Sequence, residues 1–172
     1  MSQQELFQIV DEQDNVIAAK PRSELLPNDV YRVSGLWLTN SQGEVLLAKR
    51  ALSKDHDPGK WGPAVAGTVE ANESYEDNIK KESYEELGLG NVAFILGPKF
   101  FVKGRWTYFA QYFYAKIDKP ANEFELQQAE VAEVRWFTMS ELKQDMLENP
   151  GSYLVNFRKL VLQDTFSATK AA

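Results

Sequence analysis

Glu82, Glu85 and Glu86 stand at i, i+3 and i+4, a spacing that puts three carboxylates on one face of a helix. Like charges so placed repel by about 0.2–0.5 kcal/mol per pair. Tyr75, Ile79, Ser83 and Leu87 mark the stripe of the same helix expected to face a sheet, and Glu86 falls on its edge. A carboxylate at a core boundary is costly unless something positive meets it. A divalent cation held by the three acids resolves both penalties. A solvated acidic face is the alternative for the bare E-x-x-E-E pattern. All-oxygen donors suit a hard cation, so magnesium is the expected ion, with manganese as its substitute. The charge is local: residues 70–86 carry seven acids against two bases.

The rest of the composition narrows the chemistry. The chain has 172 residues, 19 Lys+Arg against 25 Asp+Glu, a net charge of −6, one histidine and no cysteine. Without cysteine there is no disulfide, thiolate zinc site or cysteine nucleophile. A lone histidine, His56, argues against a histidine-rich metal centre or a Ser-His-Asp triad. The acidic balance argues against nucleic acid as a partner, since a backbone binder needs a basic face. No apolar run approaches the roughly 18 residues of a membrane span. The polar, acidic start MSQQELFQIVDEQ lacks the features of a signal peptide, so a cytoplasmic protein without a membrane partner is expected. The sequon Asn72-Glu73-Ser74 is read as chance.

These carboxylates need a frame, and the pattern gives one domain over residues 1–172, a length suited to a single core. Leu6–Val10 and Val16–Ala19 flank a polar turn, an N-terminal hairpin over about 5–20. Val30–Thr39 and Glu44–Lys49 form a second hairpin around Asn40-Ser41-Gln42-Gly43. Ala64–Val69 is a short strand. Ser74 and Asp77 resemble a capping box for a helix ending at Leu87, where Gly88 stops it. Val92–Val102, bent at Gly97-Pro98, Trp106–Ile117 and Val131–Phe137 read as strands; Ser140–Glu148 and Ser152–Phe166 read as helices. A disordered tail is expected over about 167–172. The order implies an α+β fold with a mixed sheet between helices.

Residues 67–89 resemble the Nudix box, G-x5-E-x7-R-E-U-x-E-E-x-G-U, where U is bulky and aliphatic. Gly67, Glu73, Glu82, Glu85, Glu86, Gly88 and Leu89 fall at the required positions. Lys81 replaces the arginine and Ser83 an aliphatic residue. The resemblance implies a Nudix-like α/β/α sandwich and metal-assisted hydrolysis of a diphosphate linkage. It implies Glu82, Glu85, Glu86 and the backbone carbonyl of Ala66 as ligands. Gly67, Glu73, Lys81 and Gly88 become the structural positions of the box, with Lys81 pairing Glu73. Lysine keeps the charge of arginine but loses its fork, and Ser83 is expected to weaken packing on the sheet.

The likeness extends through Tyr31-Arg32, Asn40–Gly43, Leu46–Arg50, Lys54 and Pro58–Trp61, then through Glu130–Phe137 and Glu141-Leu142. It resembles the Nudix branch related to isopentenyl-diphosphate isomerase. Ala66 stands where the isomerases carry their cysteine, Thr68 where they carry a histidine ligand, and Tyr31 where they place a histidine before arginine. A methyl and hydroxyls cannot replace a thiol and imidazoles, so hydrolysis rather than isomerisation is implied. The expected substrate is a small-molecule diphosphate such as a nucleoside diphosphate derivative. A prenyl diphosphate, or a non-catalytic nucleotide-binding module, is the alternative. Glu85 or Glu130 is the expected proton acceptor, with Glu125 and Glu133 as weaker candidates. Arg50, Lys54, Lys103 and Arg105 are the candidate phosphate-binding cations. Phe100, Phe101, Trp106, Tyr108 and Phe109 are core residues or a base-stacking surface; Tyr153, Phe157, Leu160 and Val161 are core or a homodimer face. His56 reads as a solvated loop residue.

Overall fold

The turn chemistry of the first two hairpins appears as expected in the computed structural model, which describes residues 5–166; the tail expected over 167–172 lies outside them. Strands β1 (Leu6–Val10) and β2 (Val16–Pro21) pair antiparallel. Asp11 organises their turn by accepting the amides of Gln13 and Asn15. Between β3 (Val30–Thr39) and β4 (Val45–Arg50), Asn40 Oδ1 accepts the amides of Gln42 and Glu44.

The centre of the sheet is β3. Along one edge it runs parallel to β8 (Thr107–Lys116), from Val30 opposite Thr107 to Thr39 opposite Lys116. Three strands share its other edge. β1 meets it at Val30 and Tyr31, β6 (Val65–Thr68) from Val33 to Leu36, and β4 only at Leu38 and Thr39. Beyond those two pairs β4 diverges and is flanked by β5 (Trp61–Pro63) and β9 (Val131–Phe137). The β5–β6 segment thus fills a wedge between two separating strands. β7 (Ile95–Val102) forms an outer edge beside β8, with an irregularity between Leu96 and Lys99 where Gly97-Pro98 lies.

Alternation along the strands feeds two core layers. Leu36, Leu38, Leu46, Val65 and Phe113 pack with Ile79 and Leu87 of α1 (Tyr75–Leu87). Trp37, Val45 and Tyr112 pack on the opposite face with Leu142 of α2 (Met139–Glu148) and Phe157 and Val161 of α3 (Val155–Leu162). The result is an α/β/α sandwich with a mixed sheet, the α+β class the sequence predicts.

Three elements differ from expectation. The last helix is not continuous from Ser152 to Phe166: Tyr153 bridges Trp61 and the Leu154 amide donates to the Trp61 carbonyl at 2.9 Å, so the helix starts at Val155 and ends at Leu162. The Val92 strand begins only at Ile95, because Val92 and Phe94 pack onto the core from a loop. The strand expected over Ala64–Val69 runs from Val65 to Thr68, and an unexpected short strand, β5, precedes it with Ala64 between the two. Burial of Tyr153, Phe157 and Val161 makes their stripe core. Among the described residues no helix is long and apolar enough to cross a membrane.

Candidate active site

Helix α1 is set by its ends. Ser74 accepts the Asp77 amide and Asp77 returns a bond to the Ser74 amide, a complete capping box. Gly88 closes the helix at φ 67°, a backbone conformation natural to glycine. The helix then lies very close to β6. A Cβ built on Gly67 would stand 2.4 Å from Cγ of Glu82, so only glycine admits this approach.

Asn78, fully buried, ties the neighbourhood together. Its Oδ1 accepts from Ser34 Oγ at 2.5 Å, and its Nδ2 donates to the Thr68 carbonyl and Glu73 Oε2, both at 3.0 Å. The Lys81 ammonium sits 2.6 Å from both Glu70 and Glu73 and 3.7 Å from Glu82. Burial would raise the Glu73 carboxyl, but the Lys81, Glu70 and Asn78 hydrogen bonds outweigh it and hold the group below its ordinary range. Burial would lower the Lys81 ammonium, yet Glu70 and Glu73 push it upward.

The three candidate ligands are placed unequally. Glu82 is half-buried over Gly67, and burial, with Glu85, Glu73 and Glu70 nearby, pushes its carboxyl up to about 7 against the pull of Lys81. Glu86 is only 8% exposed and makes no side-chain hydrogen bond or ion pair among the described residues. Burial first, then Glu82 and Glu130, push it up to about 8, while Lys54 and Arg50 pull the other way. Glu85 is exposed on the next turn, and Ala66 is exposed on β6 opposite Gly35. Among the described residues no three acidic or histidine side chains close on one point. The donor set nonetheless fits a hard cation: all oxygen, with a buried carboxylate that lacks any positive contact partner.

Across the wedge, the loop after β4 brings up cations. Arg50 Nε donates to the His56 carbonyl at 3.0 Å, and the Lys54 ammonium contacts Glu130 at 2.5 Å. Glu130 is located by two backbone bonds: its carbonyl accepts the Ala51 amide and its amide donates to Gln127. Gln127 in turn donates its amide to the Glu86 carbonyl at 3.0 Å, so the segment before β9 is pinned to the end of α1. Glu86 therefore lies within electrostatic reach of Glu130, Lys54 and Arg50. Glu125 packs against Gly88, and exposed Glu133 lies 3.8 Å from Lys49. Lys103 and Arg105, at the β7–β8 turn, lie over the rings of Phe101 and Trp106 and have no contact with the Glu86 group. That turn does reach the loop: the His56 ring meets Trp106 at 6.5 Å. His56 is thus partly packed rather than simply solvated. Phe109 is core, whereas Phe101 and Trp106 are partly exposed.

Sequence reasoning missed Asn78, Gln127 and Glu70. Asn78 carried a readable signal, an amide next to Ile79 on the buried stripe. Gln127 acts through its backbone and carried none. A separate cavity of about 660 Å³ lies at the other end of β3, lined in part by Trp37, Val45, Tyr114, Met139, Val161 and Phe166. It contains none of the predicted site residues.

Comparison with known proteins gives the family and the fold. Residues 30–156 match the NUDIX domain model. An uncharacterized Nudix hydrolase of Yersinia pestis is 30% identical over 139 residues, spanning 80% of this chain and 75% of that protein. The crystal structure of DR0079 from Deinococcus radiodurans superposes with a TM-score of 0.80 at 22% identity, covering 92% of this chain and 98% of that one. The NUDIX domain of Shewanella oneidensis NrtR, solved with ADP ribose, gives 0.61 at 20% identity over 80% of this chain and 88% of that one. The chain belongs to the Nudix hydrolase family, with its NUDIX domain over residues 30–156.

Proposed function

We propose that the chain hydrolyses a diphosphate linkage in a nucleoside diphosphate derivative or similar small metabolite, using magnesium, with manganese as a substitute. Glu82, Glu85, Glu86 and the Ala66 carbonyl are the proposed ligands. The reading rests above all on Glu86, a buried carboxylate without a side-chain partner among the described residues, within electrostatic reach of Arg50, Lys54 and Glu130. When bound, the metal supplies charge neutralisation of the diphosphate and a more acidic attacking water.

The chain's own groups do the remaining work. Arg50 and Lys54 bind phosphate oxygens from the loop side. Moving Lys54 onto a phosphate frees Glu130 of its ion pair, leaving a carboxylate that takes the proton from the attacking water; Glu85 is the other candidate base. Lys103 and Arg105 extend the cationic rim, and partly exposed Trp106 offers a ring for the group beyond the diphosphate. The ADP ribose bound to the Shewanella domain is of the proposed substrate class. Within the family we place the chain in the branch resembling isopentenyl-diphosphate isomerase. Ala66 and Thr68 lack the thiol and imidazole that isomerisation needs.

A release screen over nucleotide, sugar-nucleotide, dinucleotide and prenyl diphosphates, with and without magnesium, tests the reading. Magnesium-dependent turnover of a nucleoside diphosphate derivative is expected, and Glu86→Gln should abolish it. Turnover of prenyl diphosphates alone would reassign the substrate. Tight nucleotide binding without product would make the chain a sensor.

A further inference from the structure

We infer that Gln8 is a positioning residue for the proposed cation site, acting from the N-terminal hairpin through the 70–73 loop on Lys81. The inference rests on the reading of Glu82 as a ligand. One ammonium serves three carboxylates: Lys81 is 2.6 Å from Glu70 and from Glu73, and 3.7 Å from Glu82. Where the loop holds the first two acids decides how far the ammonium stays from the third.

The loop is held by Gln8. This side chain is 5% exposed, and its Nε2 donates to the carbonyls of Glu70 at 2.9 Å and Glu73 at 2.6 Å. Its Oε1 accepts from Arg32 Nη1 at 2.9 Å. Arg32 Nε donates to Asp14 at 2.7 Å, and the Asp14 carboxylate also receives the Tyr75 hydroxyl and the Lys99 ammonium. Backbone bonds add support: the Gln8 amide donates to Val69 and the Ala71 amide to Leu6. The carboxamide therefore spends both donors on the loop and accepts from Arg32 of β3, itself bonded to Asp14 in the hairpin turn. With the loop released, the ammonium relaxes toward Glu82 and occupies a carboxylate the cation needs.

The test uses the full chain as Gln8→Glu and Gln8→Leu, each with Lys81 and with Lys81→Arg. At pH near 8, Gln8→Glu keeps the Arg32 contact but presents only acceptors to the loop carbonyls. Three measurements are made: Mn²⁺ affinity by electron paramagnetic resonance, amide exchange over residues 70–74, and the thermal midpoint. Gln8→Glu should weaken Mn²⁺ binding about tenfold, as loss of a ligand-supporting partner does, and speed loop exchange. Lys81→Arg, whose fork spans carboxylates with paired bonds, should cut the affinity loss to about threefold. The thermal shift should be equal in both backgrounds.

Native loop exchange and native affinity in Gln8→Glu would overturn the inference. So would equal affinity losses with lysine and arginine, which would make Gln8 a general fold support. If the unaltered chain binds no Mn²⁺, the ligand assignment falls. The response of loop exchange to Gln8→Glu, and its correction by Lys81→Arg, then decides the role of Gln8 by itself: faster exchange so corrected upholds the hold on Lys81, and unchanged exchange removes it.

Discussion

Helix α1 buries polar groups in both halves, but by opposite means. In its first half each group has a partner. Ser74 and Asp77 satisfy one another, Asn78 is bonded to Ser34, Thr68 and Glu73, and Lys81 neutralises Glu70 and Glu73. In its second half the groups are left more open: among the described residues Glu86 has no side-chain partner, Glu82 has only a long bond from Asn78 at 3.4 Å and the Lys81 ammonium at 3.7 Å, and the buried Ser83 hydroxyl bonds to nothing. The carboxyls record the contrast, with Glu73 held low and Glu82 and Glu86 pushed up to about 7 and 8. The first half anchors the helix, and the second keeps carboxyls whose charged form burial disfavours.

The sharpest way to break this comparison is Glu86→Gln. Turnover should fall more than about a hundredfold, beyond the loss typical of residues that merely support a ligand. The metal-free protein should melt higher, because a buried unpaired carboxylate is gone. A lower melting point would place Glu86 among the anchoring groups. Asn78→Ala should do the reverse, costing about 2 kcal/mol by orphaning Ser34 and the Thr68 carbonyl, as read by urea unfolding.

A third expectation concerns pH. Glu82 and Glu86 have an ordinary value of 4.5 when unfolded and about 7 and 8 when folded. The native state thus binds more protons between those values, so the stability these groups contribute is present at low pH and lost as pH rises through about 7 and 8. The metal-free melting point should fall from pH about 5 to 9, and magnesium should flatten that slope. An unchanged slope with magnesium would separate the carboxyls from the cation. The smallest effect belongs to Ser83→Ala. It removes an unsatisfied hydroxyl and improves helix propensity, so stability should rise by about 0.5 kcal/mol, with turnover unchanged.

What could be read from sequence was what local chemistry decides. Ser74, Asp77 and Gly88 announce the ends of α1 because caps are made by neighbours. Glu82, Glu85 and Glu86 announce themselves because helical spacing alone makes them neighbours along α1. The break at Tyr153 could not be read, since Trp61, far along the chain, draws that residue into an extended bridge. Gln8 was silent too, and Asn78 showed only its place beside Ile79 on the buried stripe. An amide carries no charge pattern, and its role exists only once two distant backbones are brought beside it. The position of Glu130 depends on the Gln127 amide reaching the end of α1, a contact without any side-chain signature. Lys103 and Arg105 were credible as cations, but only three-dimensional placement shows them over the rings of Phe101 and Trp106, without contact to Glu86.

The β8 edge of β3 also bears on how the molecule assembles. Its longest pairing is parallel and joins Val30 to Thr107, so a large loop must close before that ladder forms. Such topologies fold slowly. The wedge that presents Glu86 to Arg50 and Glu130 needs β4, β5, β6 and β9 in register around that ladder. A cation that recognises only this finished arrangement stabilises the native state by mass action. Its contacts are absent from an early transition state, so it should slow unfolding and leave the folding rate unchanged. Bound metal would lengthen the life of the assembled protein without hastening its birth.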